Sequence, residues 1–373
     1  MGVVRALVKA TRLLGWTARH PRSRIAYVSG WRGNRNLGDE LLLDCYNRLF
    51  PLWHFYQAYG YPHERAVARV CRPFHAAMLA GGTLINRRTP WLRQAQSCFS
   101  MVECSMVFGT GVADPGFWNG RTDGSEQWQD MVQEWVALLQ RCAYVGVRGP
   151  ISATLLRNAG LQNVRVVGDP VLSLARETEA KDLRPRSLGL NMGFAGPGWI
   201  EKEEVCKRYI ALASLAKRAG WAVEWFVVFP KDLAITKYMA EQSGTTEAVH
   251  ESYSDAGSFL QMVQPLAVFV GMRMHATALA TCAFVPSIMV ECRPKCRDYM
   301  ESIGQGSFVV RADKFAASEV WDRVCMVSGN RESYSLNLRH KVLEMQEYQR
   351  SEAKRLAAQV QLPDGRFVPA HAQ

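Results

Sequence analysis

Four short segments of the chain carry residue types that can hold an anion or transfer a proton. They read GNRNLGDE (33–40), AGGTLI (80–85), VGVRGP (145–150) and FVGMRMHA (269–276). Each segment begins with or follows a short apolar run that is typical of a β-strand. Because ligands of parallel sheets bind beyond the carboxyl ends of the strands, we expect these segments to line a ligand-binding cleft.

The segment around Arg273 and His275 gives the sharpest prediction. The two side chains lie two positions apart, where an apolar strand meets a helix of small residues. This spacing places a permanent cation and a titratable acid on the same ligand, and the amide groups of a helix start also favour an anion. A single histidine is more often structural, but its pairing with Arg273 favours a functional role.

Arg148 occupies a comparable position at the end of an earlier strand, directly before Gly149 and Pro150. Proline is typical of the first turn of a helix, so the guanidinium is expected to project into the cleft. There it would suit bidentate binding of a carboxylate or phosphate, and the alternative is a surface arginine on a loop. Asp169, in the sequence VVGDP, is interpreted either as a turn residue or as a supporting partner.

The two glycine-containing segments predict close approaches of the backbone. In GNRNLGDE, Gly33 and Gly38 permit a tight turn, and Asp39 opens a helix either as its cap or as a functional carboxylate. Amide groups at that helix start could face an anion. Gly81 and Gly82 end an apolar strand and permit a ligand or another backbone to come near. Neither segment has the Gly-Lys-Ser/Thr of a P-loop or the GxGxxG pattern of a dinucleotide site.

The ten cysteines form no CxxC pair. Cys292 and Cys296 flank two cations in ECRPKC, but no His or Cys pair lies nearby to complete a zinc site. We therefore predict no metal and reduced thiols, which, in a sequence without an export signal, favour the cytosol. Lys295, between the two thiols, is a further cation near the predicted cleft.

Length and composition limit the class of protein. A chain of 373 residues suggests two domains or one large one, and 48% hydrophobic with 21% charged residues is an ordinary globular composition. No apolar run reaches the roughly 18 residues that a membrane-spanning helix needs. The net charge is +11, but six basic residues and no acid lie within the first 24 residues. Because the remainder is only mildly basic, a nucleic-acid-binding protein is disfavoured.

The basic N-terminal segment, residues 1–23, is compatible with an amphipathic helix. One predicted face is apolar and the opposite face is basic: Val3, Ala6, Leu7, Ala10 and Leu14 against Arg5, Lys9 and Arg12. Such a helix could lie on an anionic membrane surface through residues 1–22, or it could pack on its own domain with a solvated basic face. The sequence leaves both alternatives open.

From residue 24 onward, apolar runs alternate with amphipathic stretches, which predicts parallel sheets covered by helices. The predicted strands are 24–30, 52–58, 75–85, 105–112, 143–149, 164–170, 187–193, 222–229, 267–273, 286–292 and 307–311. The predicted helices are 126–141, 151–159, 201–219, 231–243, 255–264, 275–283, 296–303 and 332–358. A polar stretch at 175–187 is interpreted as a linker.

The predicted fold class is therefore α/β, with two doubly wound, Rossmann-like domains that face a central cleft. The N-terminal segment at 1–23 precedes a first domain at 24–178. A second domain at 186–330 is followed by a C-terminal helix and tail at 331–373.

The order of the motifs resembles the polysaccharide pyruvyltransferase family. The resemblance runs from about residue 24 to about residue 304 and rests on N-x-GDE, a glycine pair, R-G-x-x-S-x-x-L-L, GDP and R-x-H in this order. It implies a GT-B-like fold with an acceptor-side first domain, a donor-side second domain and a C-terminal helix that crosses back. It also implies transfer of the enolpyruvyl group of phosphoenolpyruvate to a sugar diol of a polysaccharide or its precursor, which forms a pyruvate ketal and releases phosphate.

The resemblance assigns a donor site for phosphoenolpyruvate. Arg148 and Arg273 would bind its phosphate and carboxylate, and Met274 would add a main-chain contact. Lys295 follows in the order typical of the family and would be a further cation of this site. Many members have an aromatic residue before this lysine; the sequence here has Cys292, which changes that wall of the site.

The resemblance also assigns the acid and the base. His275 would be the general acid that protonates the methylene carbon, and an adjacent phosphate would favour its charged form. Asp39 would lie on the sugar side, where a carboxylate could accept the proton of the attacking hydroxyl. The arginines would hold the departing phosphate without a metal. The cleft loops would include Asn36, Gly38, Gly81 and Gly82, although the glycine triplet of the family begins with Ala80 here.

Two other functions remain open. A GT-B glycosyltransferase that uses a nucleotide sugar would need a carboxylate to hold the ribose, and Glu291 is the evident candidate. A non-catalytic member of the family would bind glycans without turnover. In the main interpretation the partners are phosphoenolpyruvate, as a donor substrate rather than a cofactor, and a saccharide acceptor, which could be lipid-linked. The expected location is the cytoplasm, with contact at the cytoplasmic membrane face as one alternative.

Overall fold

The computed structural model describes residues 2–20, 24–28, 33–118, 125–176, 183–194, 198–199 and 201–360. These residues group into two compact units. As far as the ranges are described, unit 1 contains Met1–Gly30, Leu42–Pro170 and Tyr348–Gln373, and unit 2 contains Trp31–Leu41 and Val171–Glu347. The predicted tail at 361–373 and the centre of the predicted linker, 177–182, lie outside the described residues.

Unit 1 is built on a parallel six-stranded sheet with the order β2-β1-β3-β4-β5-β6. The strands are β1 (Arg24–Val28), β2 (His54–Gln57), β3 (Ala76–Ala80), β4 (Cys104–Thr110), β5 (Tyr144–Val147) and β6 (Arg165–Val166). β3 and β4 are buried along their whole length, as continuous apolar runs predict. Alternate side chains supply two hydrophobic clusters, with Ala26 and Val107 in one and Ile25 and Met106 in the other.

The helices of the first half of the chain accompany this sheet. They are α1 (Gly2–Arg19), α2 (Leu37–Leu49), α3 (Pro62–Cys71), α4 (Thr89–Phe99), α5 (Pro115–Trp118), α6 (Ser125–Leu139) and α7 (Pro150–Asn158). The predicted α7 begins with its proline in the first turn, which is compatible with a helix start because a first-turn amide needs no intrahelical acceptor.

Unit 2 repeats the design with the order β12-β11-β10-β7-β8-β9, again parallel. The strands are β7 (Ser187–Asn191), β8 (Ala222–Val227), β9 (Val249–Glu251), β10 (Val268–Gly271), β11 (Ser287–Glu291) and β12 (Val309–Arg311). The helices are α8 (Lys202–Arg218), α9 (Leu233–Ser243), α10 (Ala256–Val263), α11 (Met274–Cys282), α12 (Pro294–Ser302), α13 (Ala317–Gly329) and α14 (Arg331–Gln359).

Every predicted strand and helix overlaps an observed one, so the predicted doubly wound α/β class is confirmed. The prediction omits β9, a three-residue edge strand that is partly exposed and has no apolar run. Strand order reverses between β1 and β3 in unit 1 and between β7 and β10 in unit 2. Connections leave such neighbouring strands in opposite directions, so each unit has its natural ligand crevice there.

The grouping of residues differs from the predicted domain boundaries at two segments. Residues 33–41 group with unit 2, where the Leu37 amide donates to the Val228 carbonyl at 3.0 Å. The end of α14 groups with unit 1: Ala353 and Leu356 belong to one of its hydrophobic clusters, and Gln349 donates to the Asp169 carbonyl at 2.8 Å. α14 therefore begins in unit 2 and ends in unit 1, as the predicted crossing helix requires.

The predicted N-terminal helix is present as α1, and its packed face matches the predicted apolar face at Ala10 but not at Leu7 and Leu14; the side chains of Val3 and Ala6 lie outside the described residues. Leu13 is fully buried, and Ala10 and Trp16 pack against the same cluster of unit 1. Leu7 and Leu14, predicted on the apolar face, are 61% and 41% exposed. Within the described part of the chain, no helix combines the length and the apolar character needed to cross a bilayer.

Candidate active site

The crevice of unit 2 is organised by Asn191, the last residue of β7. Its Oδ1 accepts a hydrogen bond from the Arg273 amide at 3.0 Å, and its Nδ2 donates to the Phe226 carbonyl at 2.8 Å. Asn191 is fully buried, and these two bonds satisfy both polar ends of its side chain. They fix the turn in which β10 ends and α11 begins at the point where the strand order reverses.

The Arg273 side chain is held from three directions. Its Nε and one Nη donate to the two carboxylate oxygens of Asp232 at 2.7 and 2.8 Å, and the same Nη donates to the Phe194 carbonyl at 3.1 Å. The guanidinium also lies 5.0 Å from the centre of the Phe229 ring. No residue that the structure describes accepts a hydrogen bond from the other Nη. Arg273 therefore offers one oriented nitrogen to a ligand. An arginine without an ion-pair partner could instead donate two parallel hydrogen bonds.

Asp232 and Arg273 are almost enclosed, with 3% and 11% of their side chains exposed. Burial raises the pKa of Asp232, and the Arg273 guanidinium opposes this shift. Gly193 is required beside them: a Cβ at this position would lie 2.3 Å from a carboxylate oxygen of Asp232 and 2.4 Å from Nε of Arg273. The backbone at Gly193 thus packs tightly against the ion pair.

His275 lies in the first turn of α11 and packs against the backbone at the start of α2. A Cβ on Gly38 would lie 1.8 Å from the imidazole Nδ1, so only glycine permits this contact. The imidazole Nε2 has no exposed surface. The GDE segment and the R-x-H segment, which are far apart in sequence, are therefore brought into direct contact within unit 2.

Asp39 is the residue after Gly38 and is partly exposed. Its carboxylate accepts a hydrogen bond from the Asn36 side chain at 2.5 Å. Asn36, Gly38 and Asp39 were expected in the N-terminal domain on the acceptor side, but they group with Arg273 and His275 in unit 2. The reason is the pairing of Leu37 with Val228 and the contact between Gly38 and the imidazole.

The amide groups before α2 are occupied by a side chain of the same loop. The amides of Gly33, Asn34 and Arg35 all donate to Oε1 of Glu40, at 2.7, 2.9 and 3.0 Å. Three amides on one oxygen form an anion-binding concavity, and Glu40 fills it. The prediction of an external anion concerned the amides at the start of α2, of which that of Leu37 donates to the Val228 carbonyl. The amides of residues 33–35 instead stiffen the loop that carries Asp39.

Three cations gather near the ends of β10 and β11, which are adjacent strands. Arg273, Arg293 and Lys295 all lower the pKa of Cys292, after the larger effect of a hydrogen bond with the Cys296 thiol. Lys295 lies in the first turn of α12, and its neighbour α11 also begins at this edge. Two helix starts and three cations on adjacent loops favour a multiply charged anion. Among the described residues, no cluster of three or more His, Cys, Asp or Glu side chains could hold a metal ion.

Arg148 has a different environment from the one predicted. Its side chain is fully buried in unit 1, where it donates to the Gly82 carbonyl at 3.0 Å and to the Thr83 hydroxyl at 3.3 Å. A guanidinium nitrogen lies 4.0 Å from the Asp169 carboxylate, which is also fully buried. The predicted projection into a cleft is therefore not observed, because a buried carboxylate and a backbone carbonyl hold the guanidinium inside the unit.

The Gly81–Gly82 turn follows β3 as predicted and has left-handed backbone angles, with φ of 62° and 64°. A Cβ on Gly81 would lie 2.6 Å from the Leu42 side chain, so the turn packs closely on α2. Gly82 is partly exposed, and its carbonyl is the group that Arg148 holds. The turn therefore presents backbone at the crevice of unit 1 in a fixed conformation.

Sequence reasoning missed Asp232, Asn191 and Phe229. Asn191 and the Phe229–Asp232 turn come at the carboxyl ends of β7 and β8, the same edge that identified Arg273. The signal that could have found Asp232 is an acid directly after a predicted strand in FVVFPKD, at the edge where a buried arginine needs a partner.

A family model for polysaccharide pyruvyl transferase matches residues 36–294, more than half of the chain. The chain belongs to this family. The matched span begins at Asn36, the last residue before α2, and ends one residue before Lys295, so it contains the loops after β3, β5, β8 and β10. Membership of the polysaccharide pyruvyl transferase family confirms the resemblance on which the sequence-based interpretation rests. No curated protein matches the sequence significantly.

Solved structures with similar folds agree with the predicted architecture. Anabaena Alr3699/HepE in complex with UDP-glucose aligns at 11% identity and a TM-score of 0.56, covering 90% of this chain and 98% of that one. Phytolacca americana UGT2 complexed with UDP-2fluoro-glucose and pterostilbene aligns at 11% identity and 0.54, covering 90% and 100%. A putative UDP-N-acetylglucosamine 2-epimerase from Listeria monocytogenes aligns at 10% identity and 0.54, covering 90% and 95%. These likenesses establish the fold alone, and the predicted GT-B-like class is confirmed.

Proposed function

We propose that this pyruvyl transferase moves the enolpyruvyl group of phosphoenolpyruvate onto two hydroxyls of a saccharide, forming a pyruvate ketal and releasing phosphate. The observation that carries the proposal is the gathering of Arg273, His275 and Lys295 at two adjacent helix starts in unit 2. Phosphoenolpyruvate carries a phosphate and a carboxylate, and it needs both anion binding and an acid.

The donor is held by groups that are already oriented. The Nη of Arg273 that Asp232 leaves available donates to one anionic group, and Lys295 attracts the other. Met274 is the first residue of α11, so its amide has no acceptor within the helix and can donate to the same anion. Because Asp232 balances the charge of Arg273, this arginine contributes a fixed direction to the site rather than net charge.

The chemistry begins with a proton transfer. The charged imidazole of His275 gives its proton to C3, and C2 becomes an oxocarbenium-like centre. One sugar hydroxyl forms a bond to C2 while the Asp39 carboxylate accepts its proton. The C2–O bond to phosphate then breaks, and phosphate leaves with the electron pair and with the proton that Asp39 holds. The second hydroxyl forms its bond to C2, which closes the ketal, and gives its proton to the imidazole of His275. One hydroxyl proton thus ends in the new methyl group and the other on phosphate, so His275 and Asp39 return to their starting states.

Proton delivery requires a small rearrangement on ligand binding. Nδ1 lies against the backbone of Gly38, and Nε2 has no exposed surface. A shift of the 33–38 segment or a turn of the ring would expose one nitrogen to C3, and catalytic contacts often tighten only in the complex. The enclosed position also keeps water from the proton until the donor is bound.

Arg148 and the glycine turn are assigned to support of the acceptor side. Because the guanidinium is fully buried, we assign it an indirect role: it fixes the Gly82 carbonyl and the Thr83 hydroxyl, and with them the backbone that a saccharide would meet. This replaces the direct contact with phosphoenolpyruvate that the resemblance implies. All ten cysteines are free thiols, which supports a cytoplasmic location for the reaction.

The nucleotide-sugar alternative receives no support from Glu291. Its carboxylate is 2% exposed and pairs with Arg297 at 3.3 Å, so it is engaged within unit 2. The UDP complexes among the similar folds belong to those proteins, at identities of 10–11%.

The proposal is tested by thermal unfolding with phosphoenolpyruvate and with UDP-glucose, on the wild type, Arg273→Ala and the exposed control Arg218→Ala. A ligand at about 100 times its Kd adds about 2.7 kcal/mol to the free energy of unfolding. We expect phosphoenolpyruvate to stabilise the wild type and the control but not Arg273→Ala. Stabilisation by UDP-glucose alone would overturn the donor assignment, and binding without phosphate release for any saccharide offered would indicate the non-catalytic alternative.

A further inference from the structure

Helix α1 has a second surface besides the one that packs on unit 1. Leu13 and Thr17 face inward and are at most 8% exposed. Leu7 and Leu14 lie seven residues apart, on the same outward side of the helix, and are 61% and 41% exposed. Val8, 47% exposed, also points outward. Packing on the unit therefore leaves three large apolar side chains of one short helix in contact with solvent.

Helix α3 and the turn before it extend this surface, because α1 packs on α3. Tyr59 and Tyr61 are 48% and 44% exposed, and Val70 is 84% exposed. The two tyrosine rings stack at 5.3 Å, and Lys9 of α1 lies 5.0 Å from the centre of the Tyr61 ring. We call the exposed residues of 7–20 and 58–73 the α1–α3 face.

The turn that carries the tyrosines is rigid. The Glu64 carboxylate accepts hydrogen bonds from the amides of Tyr59 and Tyr61, at 3.1 and 2.9 Å. Gly60 has φ of 69° and contacts Ser97, where a Cβ would come within 2.3 Å. The two hydrogen bonds to Glu64 consequently hold the rings outward, although exposure of two aromatic rings is unfavourable in water.

All exposed charged side chains of the α1–α3 face are positive. Its exposed cations come from both helices: Lys9, Arg12, Arg19, Arg65, Arg69 and Arg72. The one acid in residues 7–20 and 58–73 is Glu64, which is 1% exposed and bound to the two tyrosine amides. The face thus presents cations, aliphatic side chains and tyrosine rings together, without an exposed carboxylate.

We propose that the α1–α3 face docks on the surface of an anionic lipid bilayer. Cations attract the anionic headgroups, and the leucine, valine and tyrosine side chains enter the interfacial layer, where amphipathic rings are favoured. Nucleic acid would match the cations but not the exposed aliphatic residues. The proposal goes beyond the donor chemistry and does not depend on it; together with the proposed function, it would bring the enzyme to a lipid-linked saccharide.

The test is sedimentation of the full chain with vesicles of phosphatidylcholine alone and of phosphatidylcholine with about 30% phosphatidylglycerol. We expect binding to the anionic vesicles only. Arg12→Glu/Arg19→Glu and, separately, Leu7→Gln/Leu14→Gln should each lower the partition coefficient by at least ~10-fold. The matched controls, Arg218→Glu/Lys237→Glu and Met326→Gln/Leu336→Gln, change exposed residues of unit 2 and should stay within about two-fold of the wild type.

Three outcomes would overturn the proposal. Equal binding to both kinds of vesicle would show that the cations of the α1–α3 face do not attract anionic headgroups. Binding that depends on the arginines but not on the leucines would indicate a purely anionic ligand such as nucleic acid. Absence of vesicle binding, with a concentration-dependent mass in solution that the leucine variant abolishes, would identify a second copy of the chain as the occupant. None of these measurements uses phosphoenolpyruvate, so a failure here is distinct from a failure of the proposed reaction.

Discussion

Arg273 and Asp232 form a two-bond ion pair across the crevice of unit 2, at 2.7 and 2.8 Å. Arg273 follows β10 and Asp232 follows β8, so the pair spans the end of β7, which lies between these strands in the sheet. With 11% of the Arg273 side chain and 3% of the Asp232 side chain exposed, the pair is almost out of contact with water. The ion pair therefore fixes the orientation of the Arg273 guanidinium, so that one of its nitrogens is in position before a ligand binds.

Replacing Asp232 with Asn should separate the effect of Asp232 on the orientation of Arg273 from its effect on the charge of the site. The amide cannot hold the guanidinium on two oxygens, and the site gains one positive charge. We expect kcat for phosphate release to fall about 100-fold because the donor is misplaced, while KM for phosphoenolpyruvate stays equal or falls. Steady-state kinetics check this split. A rise in KM with unchanged kcat would contradict an orienting role.

The matched control for this variant is Asp313→Asn. Asp313 also receives two hydrogen bonds from one arginine, Arg311, but both side chains are about one-third exposed. Because exposed pairs contribute little, this change should alter neither kinetics nor unfolding by more than about 0.5 kcal/mol. A comparable loss in both variants would mean that the Asp232 effect is not specific to the crevice.

His275→Gln should abolish turnover and leave donor binding nearly intact. Glutamine preserves much of the volume against Gly38 but cannot donate a proton to carbon. General acid catalysis contributes about 10² to 10⁴ in rate, so phosphate release should fall by at least this factor. Thermal stabilisation by phosphoenolpyruvate should remain. The exposed His340→Gln is the control, and normal turnover in His275→Gln would exclude the histidine as the acid.

Gly38→Ala tests the contact between the GDE and R-x-H segments. The added methyl group would lie 1.8 Å from the imidazole, so the ring or the loop must move. We expect an activity loss of about 100-fold with a smaller effect on donor binding. Gly329→Ala is the matched control, because a Cβ at that position meets nothing within 4 Å. Equal activities of the two variants would show that this contact does not position His275.

Much of the architecture was accessible from the sequence, because strands that are buried on both faces read as continuous apolar runs. β3, β4 and β11 are buried at every position, and each lies within a predicted strand. Motifs at the carboxyl ends of these strands could then be assigned to the ligand edge by topology alone. This reasoning located Arg273, His275 and Lys295 without knowledge of any contact.

What the sequence could not supply are the partners that arise from tertiary contacts. Asp232 lies 41 residues before Arg273, and neither periodicity nor spacing connects the two. The contact of Gly38 with His275 likewise depends on the segment at 33–41 joining unit 2. In α1, helical periodicity supports more than one apolar face, and only packing selects the face with Leu13 over the face with Leu7.

Arg148→Met should destabilise unit 1 strongly. The change leaves the fully buried Asp169 carboxylate without its cation, and loss of one member of a buried pair costs about 3–5 kcal/mol. Urea unfolding measures this cost, with the exposed Arg141→Met as the control. The double variant Arg148→Met/Asp169→Asn should lose less free energy of unfolding than the two single variants lose together. If Arg148→Met instead kept its stability and lost stabilisation by phosphoenolpyruvate, the arginine would contact the donor directly.

The carboxylate of Glu224 provides a test of pH dependence in the sheet of unit 2. Burial raises its pKa, but hydrogen bonds from His250, at 2.8 Å, and from Arg184 outweigh this effect and leave the pKa below its usual value. A lowered pKa in the folded state stabilises the protein above the unfolded pKa, and this contribution is lost as the pH falls through the folded value. Glu224→Gln should therefore reduce the free energy of unfolding by about 1–3 kcal/mol near pH 5.5, and the difference from the wild type should shrink towards pH 3.5. Urea titrations of both proteins at the two pH values measure this difference in the free energy of unfolding. The control Glu103→Gln, at an exposed position, should show no such trend. If the difference between Glu224→Gln and the wild type stayed constant with pH, the ionised carboxylate would not be the stabilising form.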